Sequence, residues 1–186
     1  MDPGEAEFNS VLEAAKAGAD WAWGHIFRDL AGPVTGYLRS RGAREPEDLT
    51  SEVFLRVARA IHDFTGDAAS FRSWVFVIAH RRLLDERRYH GRRPVLTDLD
   101  TDRPSTSPVG DVEDEALEQM VTAEIAEVFS ALTEAQRDVL ALRIIAGLSL
   151  EETAEVLGKR TGAIKALQHR ALEALKRAFD EETVTL

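Results

Sequence analysis

Apolar residues recur along the chain at intervals of three and four, the period of a helix with one buried face. Phe8, Val11, Leu12 and Ala15 make the first stripe and Gly18 closes it, with Asp20 placed to cap the next helix. A long second stripe runs through Trp21, Ile26, Phe27, Leu30, Val34, Tyr37 and Leu38, and Pro33 inside it predicts a kink or a division. Past Gly42 and Pro46, a third stripe comprises Leu49, Val53, Phe54, Val57, Ala58 and Ile61. After a turn at Gly66, Phe71, Trp74, Val75, Ile78, Ala79 and Leu83 mark a fourth. No alternating β-branched run bounded by hairpin turns occurs, so no strand is expected.

The pattern lapses from Pro94 to Glu115, where three prolines, the run Ser105-Thr106-Ser107 and Gly110 replace large apolar residues. That lapse divides the chain into a helical domain at 1–93, a linker at 94–115 and a second domain at 116–186. Thr133 and Gln136, then Ser149 and Glu152, have the spacing of two capping boxes. Gly147 stops the first of these helices and Gly158 the second, with Thr161 as the expected cap of a third. Ile164, Leu167, Ala171, Leu172 and Leu175 are its inward positions. Two short helices joined at a glycine form a helix-turn-helix. Arg160, Thr161, Lys165, Gln168, His169 and Arg170 are then left for its open face and flanks, where such side chains read base edges and hold phosphates. The fold class expected is all-α: two small helical domains joined by a flexible acidic linker, the C-terminal one a helix-turn-helix.

Composition sharpens this picture. The 186 residues carry a net charge of −10, which by itself argues against a nucleic-acid binder. The charge is unevenly spread, however. Arg72, Arg81, Arg82, Arg87, Arg88, Arg92 and Arg93 face only Asp85 and Glu86 in their segment. Asp98 to Glu127 is acidic, with Arg103 its only base, and Lys159 to Arg177 is basic again. The absence of cysteine excludes a disulfide scaffold, a thiolate zinc site and a cysteine nucleophile. No apolar run is long enough for a membrane span, and residues 1–19 lack the pattern of a secretory signal, so the expected location is cytoplasmic.

Three segments, in order, resemble the extracytoplasmic-function (ECF) sigma factors of the sigma-70 family. Asp48 to Val57 resembles the helix that binds the β′ clamp helices of RNA polymerase, which assigns core-polymerase contacts to Asp48, Glu52, Phe54 and Leu55. Phe64 to Arg88 is similar to the segment that opens the promoter and reads the −10 element. This implies DNA contacts at Phe71, Trp74, His80, Arg81, Arg82, Arg87 and Arg88; basic groups hold the backbone and aromatic surfaces take unstacked bases. Gly147 to Ala171 looks like the family's −35-reading helix-turn-helix, with Arg160, Thr161, Lys165, Gln168, His169 and Arg170 on the DNA. The resemblance implies core RNA polymerase (β′ clamp helices and β subunit), promoter DNA and an anti-sigma factor as partners.

Catalytic constellations are missing from the sequence. His80, Asp85, Glu86 and His90 do not share one helical face, and the arginines around them oppose a cation, so neither a metal nor a cofactor is expected. Walker A, HExxH and GxSxG patterns do not occur. The reading is therefore non-enzymatic. The alternative is a helix-turn-helix regulator that does not bind core polymerase.

Overall fold

The computed structural model describes residues 3–91 and 132–183, and every regular element among them is helical. The first half comprises α1 (Pro3–Lys16), α2 (Asp20–Ser40), α3 (Pro46–Ala60) and α4 (Ala68–Gly91). The second comprises α5 (Glu134–Leu140), α6 (Leu150–Leu157) and α7 (Thr161–Thr183). A 3-10 turn at Ile61–Asp63 follows α3, and a π-helical turn at Ala141–Ile145 extends α5. The proposed linker at 94–115 lies outside the described residues.

The stripes are largely where the period puts them. Val11, Leu12 and Ala15 of α1, Ile26, Leu30, Val34, Tyr37 and Leu38 of α2, Val53 and Val57 of α3, and Val75, Ala79 and Leu83 of α4 share one core. Four details differ. Ala19, in extended backbone, precedes α2 with no side-chain cap, and Asp20 instead opens the first turn, where its charge complements the helix dipole. Pro33 does not divide α2: the carbonyl it leaves without a helical partner is that of Asp29, an exposed residue, while Leu30 and Val34 hold both flanks in the core. Trp21 and Ala58 are exposed, and Trp23 is the inward tryptophan, donating its indole N–H to the Ala15 carbonyl at 3.1 Å. Leu172 is also exposed, because α7 buries only the narrow stripe through Ile164 and Ala171.

The second half is assembled by its caps. Thr133 and Ser149 each accept from the backbone three residues on, with Gln136 and Glu152 reaching back in return. Gly158 adopts φ +60° at the turn between α6 and α7, where a residue with a Cβ would be strained. Arg160, one position earlier than the expected cap, supplies the carbonyl that receives the first amides of α7. Val139, Ala154 and Ile164 close the helix-turn-helix, and Leu132, Leu140 and Ala171 pack α5 along α7.

The two halves also pack on each other. Ala141, Leu142, Ala146, Leu148 and Val156 belong to the same apolar cluster as α1–α4. Gly36 of α2 makes this approach possible, since a Cβ there would lie 3.0 Å from Ile145 Cγ2. Polar groups line the seam. Arg41, with a side chain only 2% exposed, bonds Asp138 at 2.6 Å. Arg72 donates to the Ala146 carbonyl through Nε at 3.0 Å and Nη2 at 2.6 Å, so a cation sits on the carbonyl end of the α5–π-turn segment. Ser73 donates to Glu155 at 3.1 Å, and Arg87 pairs with Glu134.

Because Leu142 is fully buried in the shared cluster, Leu142→Ala is expected to cost about 2–5 kcal/mol. Leu172→Ala should cost under about 0.5 kcal/mol. Urea titrations followed by circular dichroism check both; equal losses would refute the placement of these two leucines.

Candidate nucleic-acid and partner interfaces

The helix-turn-helix presents its cations freely. Lys165, His169 and Arg170 are exposed along α7 and Arg160 just before it, while Thr161 and Gln168 are half-buried at the edges. Among the described residues, no carboxylate lies within ion-pair distance of Arg160, Lys165, His169 or Arg170. Gln168 accepts from Arg143 Nε at 3.3 Å and so is steered from beneath. A row of uncompensated donors beside a helix N-terminus suits a phosphate backbone and the base edges of a major groove.

The basic face of α4 is different, because most of its cations are already engaged. Arg82 pairs with Glu52 and Asp85, Arg87 with Glu134, and Arg88 with Asp85 at 3.4 Å, while Arg81 is exposed. The aromatic candidates are not open platforms here. Phe71 is 2% exposed, with its ring against Phe8, Phe64 and Trp74, so the expected base contact at Phe71 is replaced by a core role. Trp74 is half-buried on Phe64.

His80 is turned inward to the seam, with Nδ1 2.7 Å from Tyr37 Oη. Burial pushes the His80 imidazole below its ordinary value of 6.5; the Asp138 and Glu134 carboxylates oppose that shift and the Arg41 and Arg87 guanidiniums reinforce it. Burial likewise pushes the Tyr37 phenol far upward, so it stays protonated. In this arrangement His80 is a packing and hydrogen-bonding residue rather than a free DNA contact.

Between α3 and α4 lies a cleft of about 430 Å³ walled by Asp48, Glu52, Asp85 and Glu86, with Arg82 within it. Asp48 and Glu52 are exposed on α3, as is Leu55 at 57%. Phe54 is not: it is buried, its ring 4.9 Å from that of Phe27. The apolar anchor beside the acids is thus Leu55, and Phe27, which the helical stripe assigned to the core, stands half-exposed over Phe54. Only the register of α2 against α3 reveals that position.

Comparison with known proteins decides the family. Sigma-70 region 2 matches residues 26–93 and Sigma-70 region 4 matches residues 128–177. The ECF RNA polymerase sigma factor BldN of Streptomyces coelicolor is 34% identical over 97% of this chain and 69% of its own length. The chain belongs to the ECF sigma factors.

A second relative, ECF RNA polymerase sigma factor SigX of Bacillus subtilis, is 33% identical over 73% of this chain and 71% of its own. The solved structure of CnrH in complex with the cytosolic domain of CnrY matches 94% of this chain and 97% of that one, with a TM-score of 0.69 at 22% identity, so the fold is shared across both halves. Sigma factors are non-enzymatic initiation factors that direct RNA polymerase to promoters. The reading as a regulator independent of polymerase is set aside. Among the described residues of this ECF sigma factor, no His, Asp and Glu cluster is arranged to hold a metal, and no helix is long and apolar enough to cross a membrane.

His80 gives this sigma factor a pH signature. Its folded pKa lies below the unfolded one, so the unfolded chain binds the extra proton first as pH falls. The His80 contribution to stability is present above pH 6.5 and is lost as pH falls from there through the folded pKa. The dependence of urea stability on pH in that window should flatten in His80→Gln; an unchanged slope would mean that other groups carry it.

Proposed function

We propose that this sigma factor docks on core RNA polymerase through α3, engages the −10 element with the exposed end of α4, and reads the −35 element with α7. The open, uncompensated cations of α7 are the observation that carries this reading. No carboxylate among the described residues pairs with them, and Arg170 Nε reaches only the Ala166 carbonyl of its own helix, whereas the exposed Asp48 of the α3–α4 cleft is suited to a basic protein surface.

Each surface then has a defined role. Asp48 and Glu52 meet basic residues of the β′ clamp helices, and Leu55 supplies the apolar contact. Arg81, Arg82 and Arg88 hold the backbone of the −10 segment, and Trp74 is the aromatic nearest the surface. Phe71 shapes that surface from inside. On the −35 duplex, Lys165, Thr161 and His169 hold phosphates, while Arg170, Gln168 and Arg160 face the groove. Contacts to the β subunit belong to the holoenzyme. CnrH was solved in complex with the cytosolic domain of CnrY; an anti-sigma factor that covers one or both of the faces described would silence this chain.

Run-off transcription from a genomic fragment library, with purified core polymerase, tests the reading. Discrete transcripts that depend on this chain are expected, and their absence together with no binding to core polymerase would overturn it. Lys165→Ala should weaken binding uniformly and reduce the slope of log affinity against log salt by about 0.9. Arg170→Ala should cost about 1–3 kcal/mol at one base position and relax preference there. Glu52→Lys reverses a docking charge and should weaken holoenzyme assembly; normal assembly by that variant would remove Glu52 from the polymerase interface.

A further inference from the structure

A third cleft gathers cations away from the surfaces assigned above. It lies where the end of α2 meets α4 and α5 and holds about 280 Å³. Its walls carry the guanidiniums of Arg39, Arg41, Arg87 and Arg137, with Glu134 the carboxylate among them. Three of the four cations have acidic partners: Arg39 donates to Glu47, Arg41 to Asp138 and Arg87 to Glu134. The fourth does not. Among the described residues no carboxylate pairs with Arg137, and its Nε is buried without a hydrogen-bond partner. A guanidinium is always charged and carries five N–H groups, so Arg39 and Arg87 also keep unused donors beside it. Counting Glu47 and Asp138 with Glu134, the cleft sets four cations against three anions.

We propose that this cleft is a binding site for a small polyvalent phosphate anion, a diphosphoryl group held by Arg137 together with the unused N–H groups of Arg39 and Arg87. The chemistry selects that class. A buried N–H without an acceptor is destabilising, and in a native structure it calls for an acceptor from outside the chain. Planar guanidinium forks match phosphoryl oxygens through paired, charge-assisted hydrogen bonds. The volume falls just below the roughly 300–1,000 Å³ of sites for drug-sized ligands, so the cleft suits a small ion or the phosphate end of a nucleotide. The Glu134 side chain is 64% exposed, so it turns into water at little cost and leaves Arg87 to the ligand. That raises the surplus of cations over anions at the cleft from one to two, which favours a dianion or higher. Inorganic diphosphate and a nucleoside diphosphate share the required group. The site is independent of the polymerase and promoter roles proposed above. Its walls come from both halves, so the ligand binds only the folded, packed chain and stabilises it by mass action.

Titration of the full chain with sodium pyrophosphate in magnesium-free buffer, read by calorimetry and by thermal unfolding, tests the site. Saturable binding of a single ion is expected. At about a hundredfold excess over Kd it should raise the melting temperature by about 5–10 °C. Sulfate at equal ionic strength should raise it less, since sulfate stabilises folded chains only by a general salt effect. Arg137→Gln removes the unpaired cation and should weaken binding about tenfold, the loss of one charge-assisted hydrogen bond. It should leave the melting temperature of the free chain unchanged, because no internal hydrogen bond is lost. Should that variant fail to fold, Arg39→Gln, at a side chain 65% exposed, carries the same test. A nucleoside diphosphate that binds more tightly than pyrophosphate identifies a nucleotide as the source of the group; the reverse order identifies the free ion. No saturable binding, an equal response to sulfate, or binding undiminished by Arg137→Gln, as the open cations of α7 would give, would each overturn the proposal.

Discussion

The buried pair of Arg41 and Asp138 constrains how the halves sit. A guanidinium almost wholly removed from water is tolerable only with a carboxylate on it, and removing one partner of such a pair typically costs about 3–5 kcal/mol. Arg41 lies just past the end of α2 and Asp138 lies in α5, 97 residues away in the chain. Neither half can bury its own member of the pair alone. The surrounding contacts fall into line with it: Arg87 reaches over both Arg41 and Glu134, His80 and Tyr37 fill the wall beneath, and the apolar residues of the π-helical turn enter the core of the first half. A pair of this kind specifies geometry more than it adds stability, since an apolar pair of the same shape would hold the halves as well without fixing their register.

The elements themselves were legible because their signals are local. The capping boxes at Thr133 and Ser149 and the left-handed Gly158 are short-range features, and all three appear as read. The helical stripes located most of the core for the same reason. Errors arose where exposure depends on a neighbour distant in sequence. Phe54 and Phe71 carry the same aromatic signature whether they face a partner or the interior, and only packing against Phe27 and Phe8 places them inside. Trp21 and Leu172 fit their stripes by period but lie past the edge of what the adjoining helix covers.

The seam was not legible at all. Nothing in the spacing of Arg41, which lies outside every motif, distinguishes it from a solvated arginine at a helix end. Asp138 and Glu134 read as ordinary acids in the first turns of a capped helix. Their relation is a tertiary one, and a charge count by segment averages it away. The segment count did show that cations cluster on α4 and α7, but gave them equal standing.

The structure separates those two clusters by what sits opposite each of them. On α7 the cations face solvent, so no internal ion pair has to break before they meet DNA. On α4, Arg82, Arg87 and Arg88 face carboxylates, so binding an outside anion there first requires an internal one to leave, while Arg81 stays exposed. A chain with a net charge of −10 has many acids to place, and a protein whose partners are polyanions must place them where they do not repel the ligand. Packing acids of one half against cations of the other satisfies that condition at Arg41 and Arg87, while Arg82 and Arg88 are paired within their own half. The same electrostatics that lower the energy of the packed form therefore limit which nucleic-acid surface is open at a given moment, leaving α7 as the face that needs no rearrangement.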